Sequence, residues 1–121
     1  AKIARTVADK ADHKVIVAGS VGPTGELFEP LGALTHADAV DAFREQIRGL
    51  KKGGIDVVWI ETMSAPEEMQ TASEAAIAEN MPFVFTASFD TAGKTMMGMH
   101  PRDIHKVPAP LSEKPFAVGA N

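Results

Sequence analysis

A glutamate closes the most apolar stretch of this chain. In DVVWIET, Val57, Val58, Trp59 and Ile60 precede Glu61. A carboxylate in that position is costly unless it is paired or meets a ligand. It can hold a cation such as a substrate ammonium group, or it can accept loop amides and cap the next helix. Position alone leaves both uses open. Three further polar groups end apolar runs: Gly19-Ser20, the stretch Ala87-Ser88-Phe89-Asp90, and Ala120-Asn121. Serine and asparagine supply short donors and acceptors that can orient a small polar ligand. The loop GSVGPTG adds main-chain amides that suit a carboxylate. Gly22 and Gly25 serve either that purpose or turns of positive φ. The loop is not a phosphate cradle, because it lacks both G-x-G-x-x-G and the Gly-Lys-Ser/Thr of a P-loop.

Cysteine is absent, which excludes disulfides and any thiolate metal site built from these residues alone. The four histidines, His13, His36, His100 and His105, form no H-x-H or H-x-x-x-H pair and read as solvated or capping groups. Of the six methionines, Met69 reads as core. Met96, Met97 and Met99 share one loop and read as gap-filling side chains rather than a pocket lining. Asp90, before Thr91-Ala92-Gly93, reads as a turn residue.

The elements that position these groups follow from periodicity. Ile3, Val7 and Ala11 lie four apart and read as a helix over residues 2–11. Val15, Ile16, Val17 and Ala18 are contiguous and apolar, as in a strand buried on both sides of a parallel sheet. Residues 19–34 form a loop. Thr35 opens a helix with Asp38 at the capping-box position. Val40, Phe43, Ile47 and Leu50 make its stripe, and Gly53-Gly54 ends it. Residues 56–61 are the second strand. Ser64 is expected to cap the next helix, with Pro66 in the first turn, Glu67 at the box position, and Met69, Ala72 and Ala76 inside. Met81-Pro82 stops that helix. Residues 83–88 are the third strand and residues 116–118 the fourth. Between them Pro101, Pro108, Pro110 and Pro115 rule out a long helix.

Strands alternating with helices imply an α/β fold with a parallel sheet. Either a small doubly wound domain or about four strands of a partial (β/α)8 TIM barrel fits. The apparent cut ends favour the barrel, with residues 1–121 as a fragment of a single domain. Such a piece exposes strand edges and leaves Trp59, or its neighbours Val58 and Ile60, facing water. Self-association, or cover from the remainder of a barrel, is therefore expected. The net charge is −4 and 45% of residues are hydrophobic. A nucleic-acid surface, which would show a basic patch, is not expected. No apolar run approaches the ~20 residues that span a bilayer, and no charged-then-apolar leader is present. The expected setting is the cytoplasm, without membrane contact.

Taken together, VAGSVGPTGELFEPLG, FREQIRGLKKGGIDVVWIETMSAPEEM, FTASFDTAGKTMMG and VGAN resemble the homocysteine-binding barrel of the homocysteine S-methyltransferases. Methionine synthase is the nearest likeness and the betaine–homocysteine enzymes are cousins. The resemblance runs over residues 14–121. It implies a (β/α)8 barrel that passes a methyl group from a donor to zinc-bound homocysteine thiolate, giving methionine. It implies three zinc cysteines, the first directly after Gly119-Ala120-Asn121, so no metal ligand and no catalytic residue falls within this piece. Zinc is thus expected in the whole protein, and the piece alone is expected to be inactive. Methylcobalamin or a methylfolate is one kind of donor the resemblance allows, with betaine and S-methylmethionine as others. It also implies that Glu61 binds the homocysteine amino group, with Ser20, Gly22 and Asn121 seating the amino acid. A folate-binding methyltransferase barrel and a non-enzymatic, self-associating half-barrel are the competing readings.

Overall fold

Four strands run parallel in the order of the chain: β1 (Ala18–Val21), β2 (Val57–Met63), β3 (Phe83–Ala87) and β4 (Val118–Ala120). The computed structural model describes all of residues 1–121. Three helices accompany the strands: α1 (Lys2–Ala8), α2 (His36–Lys52) and α3 (Pro66–Ala78). A 3-10 helix, Pro101–Lys106, lies before β4.

One sheet face is buried. Val58, Ile60, Met63, Phe83, Phe85 and Ala87 join Phe43 and Ile47 of α2 and Met69, Ala72 and Ala76 of α3 in a single core. The other face carries Ser20, Trp59, Glu61, Val84 and Thr86, none of them buried. Trp59 is 42% exposed while Val58 and Ile60 are sealed, so the tryptophan alone fulfils the expectation of an uncovered apolar side chain.

The helix signals of the middle of the chain are met. The Thr35 hydroxyl accepts from the Asp38 main chain at 3.1 Å and donates to its carboxylate at 2.7 Å. Gly53 ends α2, and Gly54 follows at φ +85°. Arg44 and Arg48 of α2 both reach Glu79 at 2.9 Å, just past α3. Their hydrogen bonds, Arg48 first, hold that carboxyl below the ordinary glutamate range.

Four expectations are corrected. The first helix ends at Ala8, and the Ile3/Val7/Ala11 stripe does not face the core. Ile3 is 84% and Val7 63% exposed, and Ala8 alone is buried. The first strand is 18–21 rather than 15–18. Val17 is held by a different device: its N–H donates to the Asp56 carboxylate at 2.7 Å and its carbonyl accepts from Asp56 N at 2.8 Å. That main-chain donor, with Arg5 beside it, lowers the Asp56 pKa. Within the strand Gly19 packs tightly, and a Cβ there would lie 2.8 Å from Ile55 Cδ1. Ser64 does not cap α3. The cap is Ala65, without a side-chain bond, because Pro66 is already the first helical residue. The fourth strand is 118–120 rather than 116–118, and Phe116 is 82% exposed, joined to the sheet only by its main-chain bond to Phe83.

Candidate functional site

The site lies at the C-terminal ends of the strands, where parallel α/β sheets place their chemistry. β1 and β2 pair with Ser20 opposite Trp59 and Val21 opposite Ile60. Beyond Ile60 the β2–β3 register shifts, and Thr62 sits in the left-handed region at φ 63°. Strain of this kind persists only where the surroundings enforce it. Its effect is local: Glu61 and Thr62 both leave the buried face, and Met63 returns to it.

Both residues are then met from other strands, Glu61 from the adjacent β1 and Thr62 from the end of β4, across β3. The Ser20 hydroxyl donates to Glu61 Oε1. Asn121 Nδ2 donates to Thr62 Oγ1 at 2.7 Å, while its main-chain N–H donates to Ala87 at 3.0 Å. Ser88 N donates to Met63 O at 3.0 Å. The strand ends are thus laced together around one half-buried carboxylate. No lysine or arginine pairs with Glu61. The structure brings Ser20, Glu61 and Asn121 to one edge. It does not bring Gly22 into this bonded set: Gly22 stands in the following loop, and a Cβ on it would meet nothing within 4 Å. Gly25, at φ +83°, does supply a turn.

Two features had no signal in the sequence. Thr86 lies on the same sheet face, paired with Gly119, and its hydroxyl is fully buried without a partner. Glu68 is only 5% exposed, and its Oε1 accepts from both Thr24 N and Thr24 Oγ1 at 2.7 Å. That partner is 44 residues away, beyond any helical spacing. The bond fastens the glycine-rich loop to the start of α3.

Beside this fastening lies a cavity of about 310 Å³, bounded by residues 23–31, the start of α3, and Met96 and Met97. Here the expectation for the loop methionines is corrected. Met96 and Met97 are 70% and 41% exposed and line the cavity, and of the three only Met99 packs on the core. The chain has no cysteine and no cluster of three His, Asp or Glu side chains arranged for a metal ion. No helix is long and apolar enough to cross a membrane.

What the strand ends offer is a carboxylate for an ammonium group, plus hydroxyl, amide and main-chain groups for a small polar ligand. A family model described as homocysteine S-methyltransferase matches residues 1–121. Over 105 residues the chain is 32% identical to a methionine synthase of Mycobacterium leprae (strain TN), covering 79% of this chain and 9% of that protein. The fold matches the crystal structure of the homocysteine methyltransferase MmuM from Escherichia coli, apo form, with a TM-score of 0.73 and 22% identity. That match covers 98% of this chain and 43% of the other. It shows the architecture: four parallel strands and their helices form part of a TIM barrel. The chain spans less than half of either relative's length.

Proposed function

The chain belongs to the homocysteine S-methyltransferase family, and we propose that residues 1–121 are the part of one homocysteine-binding barrel domain that recognises the amino-acid end of the substrate. The reaction of the whole protein moves a methyl group from a donor to the homocysteine sulfur, giving methionine. The observation that carries the reading is the Ser20–Glu61 hydrogen bond at the strand ends. It leaves a carboxylate that is oriented but lacks a cationic partner. Glu61 takes the substrate ammonium. Ser20 holds Glu61 in place. Asn121 fixes Thr62, and with it the turn that presents Glu61. Gly22 leaves its loop amides open to the substrate carboxylate.

Zinc, which the family likeness implies for the thiolate, finds no donor set here: these residues contain neither a thiol nor a three-ligand cluster. Their contribution is binding and orientation, and contacts to the methyl donor belong to other segments. The metal part of the reading has its own test. The reading frame should carry a cysteine directly after Asn121, and any other residue there would remove that part.

The binding part is tested by Glu61→Gln in the intact protein. A lost charge-assisted hydrogen bond of about 1.5–3 kcal/mol should raise the homocysteine KM about tenfold or more, with kcat little changed. An unchanged KM would overturn the assignment.

A further inference from the structure

Trp59 belongs neither to the core nor to the hydrogen-bonded lacing of the strand ends. It is exposed between the sealed Val58 and Ile60, so its side chain stands on the open face of the sheet. Glu61, two residues further along β2, stands on that same face. Side chains two apart on a strand leave it about 6.6 Å from each other.

The Ser20 hydrogen bond narrows that gap. Ser20 is the register partner of Trp59, and Val84 continues the same row on β3. Yet the Ser20 hydroxyl donates to Glu61 Oε1. The Glu61 side chain is therefore drawn back along β2, towards the row of Ser20, Trp59 and Val84. A carboxylate held there has the indole as its neighbour on its own strand. The other side chain of the row, Val84, carries no charge.

We infer that Trp59 is a specificity-determining residue of the amino-acid site, its indole meeting the ammonium group that Glu61 binds. The inference rests on the amino-acid reading of Glu61. A cation within about 6 Å of a ring centroid is attracted to the face of the ring, and tryptophan is the best of the aromatic residues for this. The two side chains divide the work. Glu61 supplies the opposite charge. The indole supplies its electron-rich face and an apolar wall that keeps water from the ion pair, which strengthens the attraction. A ligand without the ammonium gains from neither. The pair thus selects a thiol that is an α-amino acid over a thiol that is only a carboxylic acid.

The test is isothermal titration of the intact protein with homocysteine and with 4-mercaptobutanoate, which keeps the thiol and the carboxylate and lacks the amino group. The unaltered protein should prefer homocysteine. Trp59→Leu stays apolar but has no aromatic face, and should reduce that preference about three- to tenfold. Trp59→Phe has a weaker face and should reduce it about two- to threefold. An indole that only filled the barrel interior would weaken both probes alike, so an unchanged ratio in these variants overturns the inference. Glu61→Gln separates it from the reading beneath it. If Glu61→Gln leaves the ratio intact, Glu61 does not bind the ammonium and both readings fall. If Glu61→Gln removes the preference while the Trp59 variants keep it, the role of Trp59 falls and that of Glu61 stands. Trp59→Phe decides the matter even if Trp59→Leu folds poorly.

Discussion

Asn121 and Thr62 meet through a 2.7 Å hydrogen bond, so the end of β4 is tied to the left-handed residue of β2. The bond spans 59 residues of sequence and crosses β3. Thr62→Val keeps the β-branched shape and deletes the acceptor. It should cost about 1 kcal/mol of stability and, in the intact protein, weaken homocysteine several-fold by loosening the turn that carries Glu61. Urea midpoints and the homocysteine KM check both. A variant with unchanged KM would show that Thr62 serves only the fold.

Ser20 and Glu61 should behave as one unit. Ser20→Ala frees the carboxylate to move, and Glu61→Gln removes its charge. Each should weaken homocysteine binding, and the double variant should be little worse than Glu61→Gln alone, because a shared interaction is lost only once. A double-mutant cycle on homocysteine affinity measures this. Full additivity would mean that Ser20 does not position Glu61.

Acid should loosen the joint between α2 and the end of α3. The Glu79 carboxyl is held below its ordinary value by Arg48 and Arg44. The folded state therefore binds fewer protons than the unfolded state in this range, and stability rises with pH there. The contribution is complete above the ordinary glutamate value of 4.5 and is lost as pH falls through the lowered one. Urea midpoints of the unaltered chain and Glu79→Gln should differ at pH 7 and converge as pH falls below the lowered Glu79 value. A constant difference across that range would refute the linkage.

The sequence revealed the order of elements and the parallel sheet because α2, β2, α3 and β3 carry strong local signals: a cap at Thr35, an apolar stripe, an unbroken β-branched run. The site was partly legible for the same reason, since Glu61 interrupts such a run. The ends were misplaced. Val15–Val17 has strand composition, yet it is held by Asp56, 39 residues on from Val17, and the paired strand begins at Ala18. Ser64 looks like a cap, but Pro66 moves the helix start past it. Met96 and Met97 are apolar like core residues, and only the loop fold shows that they line a cavity. Glu68 is a first-turn acid of α3. Its burial depends on Thr24, a contact that no spacing rule can find.

The uncovered sheet face gives the last prediction. Trp59 stands on the face opposite the helices, 42% exposed, flanked by Ser20 and Val84 on the neighbouring strands. In a closed barrel that face is interior and filled with side chains. Residues 1–121 form only part of such a barrel, so β1 and β4 present open edges that invite pairing. Prepared alone, the 121-residue chain should sediment above its monomer mass of 12.8 kDa, increasingly so at higher concentration. Its single tryptophan should emit at longer wavelength, and be more easily quenched by acrylamide, as the chain is diluted and the edges separate. Lysine introduced on the open face by Val84→Lys should oppose the pairing by burying an unpaired charge, leaving the helix-side core untouched. A chain that sediments as a monomer at all concentrations, with Trp59 emission independent of dilution, would show that the exposed face is stable in water and that the edges do not pair.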